Sequence, residues 1–221
     1  MTHARKSGLF ITFEGPDGSG KSTQLEFLLR RLADEGIPVC KTREPGGGAR
    51  QGVAERIRAL LLRPTSETIA PETELLLFLA ARAQHVRRVI EPALRAGRLV
   101  VCERFADATY AYQVGGRGLS ASWFKRANRF ATNGLKPDLT FLLDVDPARG
   151  LRRAFRAKAG HDRLECESLA FHRRVRRAYR DLAAAEPDRI RMLPAGRSRS
   201  WLAARIAESV LDRWRRRRRT P

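Results

Sequence analysis

Gly15-Pro16-Asp17-Gly18-Ser19-Gly20-Lys21-Ser22 lies between an apolar, β-rich run, Leu9-Phe10-Ile11-Thr12-Phe13, and a segment that puts Leu25, Leu28, Leu29 and Leu32 on one helical face. Strand, glycine-rich loop, Gly-Lys-Ser, helix is the order a phosphate-binding loop requires. The glycines let successive backbone N–H groups turn toward one anion. Lys21 can reach the β and γ phosphates of a nucleotide, and the Ser22 hydroxyl is placed to ligate Mg²⁺. A helix beginning near Ser22 aims its positive end at the same phosphates. Gly15, Pro16, Asp17, Gly18, Ser19, Gly20, Lys21, Ser22 and Thr23 are therefore the candidate ATP-binding residues.

Outward from this loop, strand and helix alternate. Asp34-Glu35-Gly36 ends the first helix at a glycine, and Ile37 to Thr42 reads as a second strand followed by the loop Arg43-Glu44-Pro45-Gly46-Gly47-Gly48. Val53, Ile57, Leu60 and Leu61 fall at helical spacing, with Pro64 as the stop. Pro71 opens a helix to about Arg95. Leu99-Val100-Val101-Cys102 is a buried strand ending in Glu103-Arg104-Phe105. Residues 107–134 read as helical, broken at Gly115-Gly116-Arg117-Gly118. Leu139 to Leu143 is a fourth strand, with Asp144 at its end. A helix from Pro147 to about Lys158, a polar turn from Ala159 to Asp162 and a helix from about Cys166 to Ala185 follow. Ile190 to Leu193 is a last strand, and a helix runs from about Ser198 to Trp214. This alternation predicts an α/β fold with a parallel sheet covered on both faces. Ligands are expected at the carboxyl ends of the strands.

The composition of the 221 residues, 43% hydrophobic and 31% charged, is that of a globular chain with an ample core. No stretch is long and apolar enough to span a bilayer. The mildly basic Met1 to Lys6 precedes a short strand interrupted by Glu14, not a signal sequence. Cys40, Cys102 and Cys166 are odd in number and fit no zinc spacing. They point to a reducing cytoplasm, with buried, inert thiols at 40 and 102. The net charge of +20 suits either nucleic acid or phosphorylated small molecules. Arginine is spread along the whole chain. The dense run from Arg213 to Arg219 reads as a solvated, frayed tail. With no second motif for nucleic acid, that partner is not expected.

Arg43 and Arg104 follow strands, and Arg152, Arg153, Arg156 and Arg163 cluster in one later segment. Arginine's planar fork matches phosphate oxygens. One phosphate loop needs only its own lysine, so these extra cations point to a second phosphorylated substrate. Phe78 and Arg82 lie four residues apart on one helix face. They offer a ring to stack on and a fork to bond with, which suits a nucleobase; the same spacing also suits a core phenylalanine beside a surface arginine.

At this point the residues resemble a family, the bacterial thymidylate kinases among the phosphate-loop nucleoside monophosphate kinases. The resemblance runs from about Leu9 to about Trp214. It rests on the phosphate loop, Thr42-Arg43-Glu44-Pro45-Gly46-Gly47, Phe78-Leu79-Ala80-Ala81-Arg82, Glu103-Arg104-Phe105 and Ala111-Tyr112-Gln113 with its glycines. Lys136-Pro137-Asp138-Leu139-Thr140, Asp144, Gly150-Leu151-Arg152-Arg153 and Asp162-Arg163-Leu164-Glu165 complete it.

The resemblance implies phosphorylation of dTMP to dTDP by ATP with Mg²⁺. It implies a three-layer fold with a five-stranded parallel sheet, a short arginine-rich lid at about 152–165 and a homodimer. A single domain is expected over 1–221, with a core at about 9–214 and a basic tail at 215–221. Carried over by position, dTMP would be bound by Asp17, Arg43, Pro45, Phe78, Arg82, Arg104, Thr109 and Gln113. Asp17, Lys21, Arg104, Arg153, Arg156 and Arg163 would be catalytic, and Ser22 and Glu103 would serve the metal. The eukaryotic type carries an arginine within the phosphate loop where this chain has Gly18; the bacterial type takes that arginine from the lid. The family usually reads Asp-Arg after the third strand, whereas this chain reads Glu103-Arg104, one methylene longer with the charge kept. The other readings are a kinase for a different nucleoside monophosphate and a nucleic-acid-stimulated phosphate-loop ATPase.

Overall fold

The computed structural model describes residues 8–63, 67–157 and 162–219. Its strands are β1 (Leu9–Glu14), β2 (Val39–Arg43), β3 (Leu99–Glu103), β4 (Leu139–Asp144) and β5 (Ile190–Pro194), in the order β2-β3-β1-β4-β5 and parallel throughout. Every residue of β1 is buried, as a central strand covered on both faces demands. Alternation along it then decides which layer each side chain meets. Leu9, Ile11 and Phe13 face α1 (Lys21–Asp34) and α9 (Arg199–Arg219), through Leu25, Leu28, Leu32, Ile206 and Val210. Phe10 packs on the opposite side with Val86, Ile90 and Phe105. By the same alternation Glu14 falls on that second side.

Between the strands lie α2 (Val53–Leu62), α3 (Pro71–His85), α4 (Glu91–Arg95), α5 (Ala106–Thr109), α6 (Ala121–Thr132), α7 (Pro147–Ala157) and α8 (Leu169–Ala185). The helix expected from Pro71 to Arg95 widens into a π turn at Val86–Ile90 before α4. Pro92 donates no N–H, and a wider turn upstream accommodates that loss. A second π turn, Tyr110–Gly116, carries Tyr112 and Gln113 inward. Register keeps the carboxyl ends level: Phe13 pairs with Glu103, and Glu103 with Arg43. The phosphate loop therefore opens into a crevice flanked by β2 and β3, as strand-end sites do.

Three expectations change. β2 begins at Val39, later than Ile37, because Ile37 N donates to Leu32 O (3.0 Å) and completes the close of α1 at Gly36. Cys40 is half-buried because β2 is an edge strand, while Cys102 is buried and Cys166 exposed. The frayed tail is a correction: α9 continues to Arg219. Trp214 extends the stripe of Ile206 and Val210 into the core. Arg217 bonds Asp138 at 2.8 Å, and Arg213 donates to the Asp138 carbonyl at 3.2 Å. Met1 to Lys6, Pro64, Ala159-Gly160 and the last two tail residues lie outside the described residues.

Candidate active site

The phosphate loop is built on backbone that favours glycine. Gly15 has φ 135° and Gly18 φ 67°. A Cβ on Gly18 would collide with the carbonyl of Gly150 on α7, and one on Gly150 with the carbonyl of Asp17. The two glycines interlock, so α7 presses directly on the loop, and no arginine fits at position 18 in this arrangement. α7 carries Arg152, Arg153 and Arg156, all exposed. Lys21 is buried, its Nζ donating to Gly15 O (3.0 Å) and Pro16 O (2.9 Å). Burial, with Arg104 nearby, pushes its pKa down to about 8 against the pull of Asp17 and Glu103.

Ser22 Oγ donates to both carboxylate oxygens of Glu103, at 3.0 and 3.1 Å. Two hard oxygen donors thus stand side by side at the loop. Among the described residues no cluster of three or more His, Cys, Asp or Glu forms a protein cage for a metal. That donor set fits Mg²⁺, which takes few protein ligands and keeps phosphate oxygens and waters. The extra methylene of Glu103 leaves its carboxylate within reach of Ser22.

Beside the loop is a cavity of about 270 Å³. Asp17, Arg43, Pro45, Phe78, Arg82, Arg104, Thr109 and Gln113 all line it. Its Arg82 end is buried and held by ions. Arg82, 1% exposed, donates from Nε to Glu44 (2.8 Å), from Nη2 to Thr109 (2.7 Å) and from Nη1 to Asn128 (3.0 Å). Glu44 is fixed in turn by His85 Nδ1 at 3.0 Å, and Thr42 Oγ1 lies 2.6 Å from His85 Nε2. Phe78 is 8% exposed, its ring on the cavity wall. Arg43 lies at the more open side, paired with Glu55 at 3.2 Å.

Arg104 joins the two halves. Its guanidinium pairs with Asp17 and donates to Gly15 O (3.2 Å), Tyr112 Oη (3.3 Å) and Tyr179 Oη (3.3 Å). Its own φ is 65°, a left-handed conformation that a side-chain-bearing residue keeps only where its surroundings enforce it. Its N–H donates to Phe13 O at 2.9 Å, which fixes that turn to β1. Burial alone would raise the pKa of Asp17, but Arg104 and Lys21 outweigh it, with Tyr112 Oη donating at 2.6 Å, and hold the carboxyl at about 2.

Several contributors escaped the sequence reading. Glu14 accepts from Phe105 N (2.7 Å) and Tyr179 Oη (2.9 Å), and burial, with Asp107 nearby, pushes it up to about 8. A lone carboxylate ending a buried, largely apolar strand was the available signal. Tyr112 stood in the Ala111-Tyr112-Gln113 block without a role of its own, and Tyr179 had no signal. Arg58 lines the cavity from α2 and donates to Pro45 O at 2.7 Å. Arg163, grouped by sequence with the lid arginines, is tied elsewhere: its guanidinium lies 2.5 Å from Glu74 and donates to Leu61 O at 3.2 Å.

A family model described as thymidylate kinase matches residues 13–206. The thymidylate kinase of Pseudomonas putida (strain GB-1) is 51% identical over 192 residues, covering 87% of this chain and 90% of that protein. That of Geotalea uraniireducens (strain Rf4) is 46% identical over 211 residues, covering 93% and 98%. The crystal structure of thymidylate kinase from Ehrlichia chaffeensis superposes with a TM-score of 0.74 at 31% identity, covering 92% of this chain and 98% of that one.

Proposed function

Because the chain belongs to the thymidylate kinase family and phosphorylates dTMP with ATP, we propose that ATP sits on the phosphate loop and dTMP in the adjoining cavity. One observation carries this assignment. Eight residues from five separate segments of the chain line a single cavity that shares Asp17 and Arg104 with the loop.

Phosphoryl transfer asks the protein for alignment and charge neutralisation more than for covalent help. Arg104 answers both: it faces the acceptor cavity while bonded to the carbonyl of Gly15, so acceptor and donor are referenced to one stretch of backbone. Lys21 holds the transferring phosphates. Asp17, kept ionised by Arg104 and Lys21, accepts from Tyr112 and orients the Arg104 fork. Ser22 and Glu103 would hold Mg²⁺, which would supply charge neutralisation for the donor phosphates. Arg153 and Arg156 project from α7, the helix pressed on the loop, and supply cations that act mostly on the transition state. The family resemblance makes 152–165, of which 158–161 lie outside the described residues, a lid that would exclude water. Arg163 acts from the acceptor side, through Glu74.

The family reading also proposes a homodimer. Leu76 on α3 and Trp123 and Phe130 on α6 are 53%, 41% and 90% exposed. α3 and α6 pack together, and these exposed apolar side chains are assigned to the surface that would take a second copy. A reducing cytoplasm fits three free cysteines, and 1–221 is read as one domain.

A coupled ADP-release assay over a panel of nucleoside monophosphates, with and without Mg²⁺, tests the reading. dTMP should be the best acceptor, and chelation should stop turnover. Preference for another monophosphate, or ATP turnover stimulated by DNA without any acceptor, would overturn it. Light scattering on the Phe130→Glu variant tests the dimer; an unchanged mass would remove that surface from it.

A further inference from the structure

Gln113 is fully buried, and it lines the acceptor cavity. Its Nε2 donates to Glu74 Oε1 at 2.8 Å. Its Oε1 is buried without a hydrogen-bond partner among the described residues. Glu74, on α3, is itself 0% exposed. Arg117 binds both of its oxygens, at 3.2 and 3.1 Å, and Arg163 lies 2.5 Å from Oε2.

An ionised carboxylate only accepts hydrogen bonds, so Gln113 can face Glu74 only with its amide NH₂. The carbonyl end is then turned away from Glu74, as an unpartnered acceptor on a residue that lines the cavity. Turning the amide over would place two acceptors against each other in a buried site, which is costly. Burial alone would raise the pKa of Glu74, yet the bonds from Arg117, Gln113 and Arg163 outweigh it and hold the carboxyl below its ordinary range.

We propose that Glu74 is a specificity-determining positioning residue: it fixes the Gln113 amide so that the cavity presents an acceptor, which selects a base carrying N3–H over one carrying an N3 lone pair. Thymine and uracil have that N3–H, whereas cytosine offers an acceptor at the same place. The device therefore rejects dCMP without a side chain that clashes with it, and does nothing against dUMP. The proposal rests on the reading that the base lies against Gln113. Because Arg163 shares the Glu74 carboxylate, the base reader and the segment 162–165 hang on one group.

The test compares kcat/KM for dTMP and dCMP in the full-length enzyme. Glu74→Gln can donate as well as accept, so the Gln113 amide is free to turn. Its dTMP-to-dCMP ratio should fall about tenfold or more, the size expected for freeing a buried hydrogen-bond partner. A merely structural role lowers both substrates together and leaves the ratio alone. Glu74→Asp keeps the charge both arginines require and serves if the amide variant does not fold; its shorter reach should also lower the ratio. In a Gln113→Leu background the Glu74 substitution should have no further effect on the ratio. A ratio within about twofold of wild type in a folded Glu74 variant overturns the proposal. If Gln113→Leu itself leaves the ratio unchanged, the base is not against Gln113, and the underlying reading falls with it.

Discussion

Lys21 and Arg82 are both buried cations, 6% and 1% exposed, and they are held by opposite means. Lys21 is surrounded by neutral oxygens, the carbonyls of Gly15 and Pro16 and the hydroxyl of Ser19. Arg82 meets the Glu44 carboxylate, itself braced by His85. A cation solvated by dipoles keeps its attraction for an anion; one paired with a carboxylate in low dielectric is neutralised and contributes direction instead. On the proposed assignment, the donor end therefore recognises charge, and the base end recognises hydrogen-bond positions.

The same substitution at both cations should break them in opposite ways. Lys21→Met should lower kcat by about 10³-fold or more, since the charge it supplies acts on the transferring group. It should also raise folding stability by on the order of 1 kcal/mol, because a buried ammonium without a carboxylate partner is removed. Arg82→Met should do the reverse in stability: it strands Glu44, at a cost of about 3–5 kcal/mol. Adding Glu44→Leu to that variant should recover most of the loss. Urea titrations of the three variants decide it, and equal destabilisation by Lys21→Met and Arg82→Met would erase the distinction.

This contrast also marks what the sequence could and could not reveal. The donor end is a contiguous loop between a strand and a helix, so local pattern is enough to read it. Phe78 and Arg82 were visible as an i, i+4 pair, but only the family resemblance pointed them at a base. Glu44–Arg82, Tyr179–Glu14 and Gln113–Glu74 join residues 38, 165 and 39 positions apart. Each of these bonds depends on how strands and helices pack, which periodicity does not encode. The frayed-tail expectation failed for a related reason. Seven residues of mostly like charge predict repulsion, yet Trp214 and the partner Asp138 convert the run into a docked helix.

Two further measurements sharpen the comparison. Phe78→Ala should raise KM for dTMP by the equivalent of about 1–3 kcal/mol, the usual worth of a base–aromatic stack. KM for ATP should stay near its original value, since Phe78 lines the acceptor cavity. Equal rises in both constants would make Phe78 a packing residue only. The pH response should separate the ends as well. Lys21 has its pKa lowered from 10.5 to about 8, so raising the pH through that value removes its charge in the free enzyme. KM for ATP should then climb by up to about tenfold per pH unit. Stability should rise with pH between about 8 and 10.5, because there the unfolded chain holds a proton that the folded one has released. Lys21→Met should abolish both slopes; a flat ATP KM in the parent enzyme would contradict the assignment.

The smallest effect is expected at Glu103, where the donor end does contain a carboxylate. Its two oxygens share the Ser22 hydroxyl at 3.0 and 3.1 Å. Glutamine keeps one acceptor oxygen, so Glu103→Gln should leave Ser22 anchored and the fold intact. Only the charge is lost. If that charge serves a divalent ion, the Mg²⁺ needed for half-maximal activity should rise, and kcat at saturating Mg²⁺ should fall only modestly. Glu103 is partly open to solvent, which screens its contribution. The shift should therefore sit at or below the lower end of the roughly 10–100-fold range seen when groups supporting a metal site are removed. Reaching toward the ion from one methylene further out, Glu103 should depend little on a single water geometry, so Glu103→Asp should fall between wild type and Glu103→Gln. Superimposable Mg²⁺ titrations for all three would leave Glu103 as an anchor for Ser22 alone, and the donor end would then recognise its nucleotide without a carboxylate-held ion at Glu103.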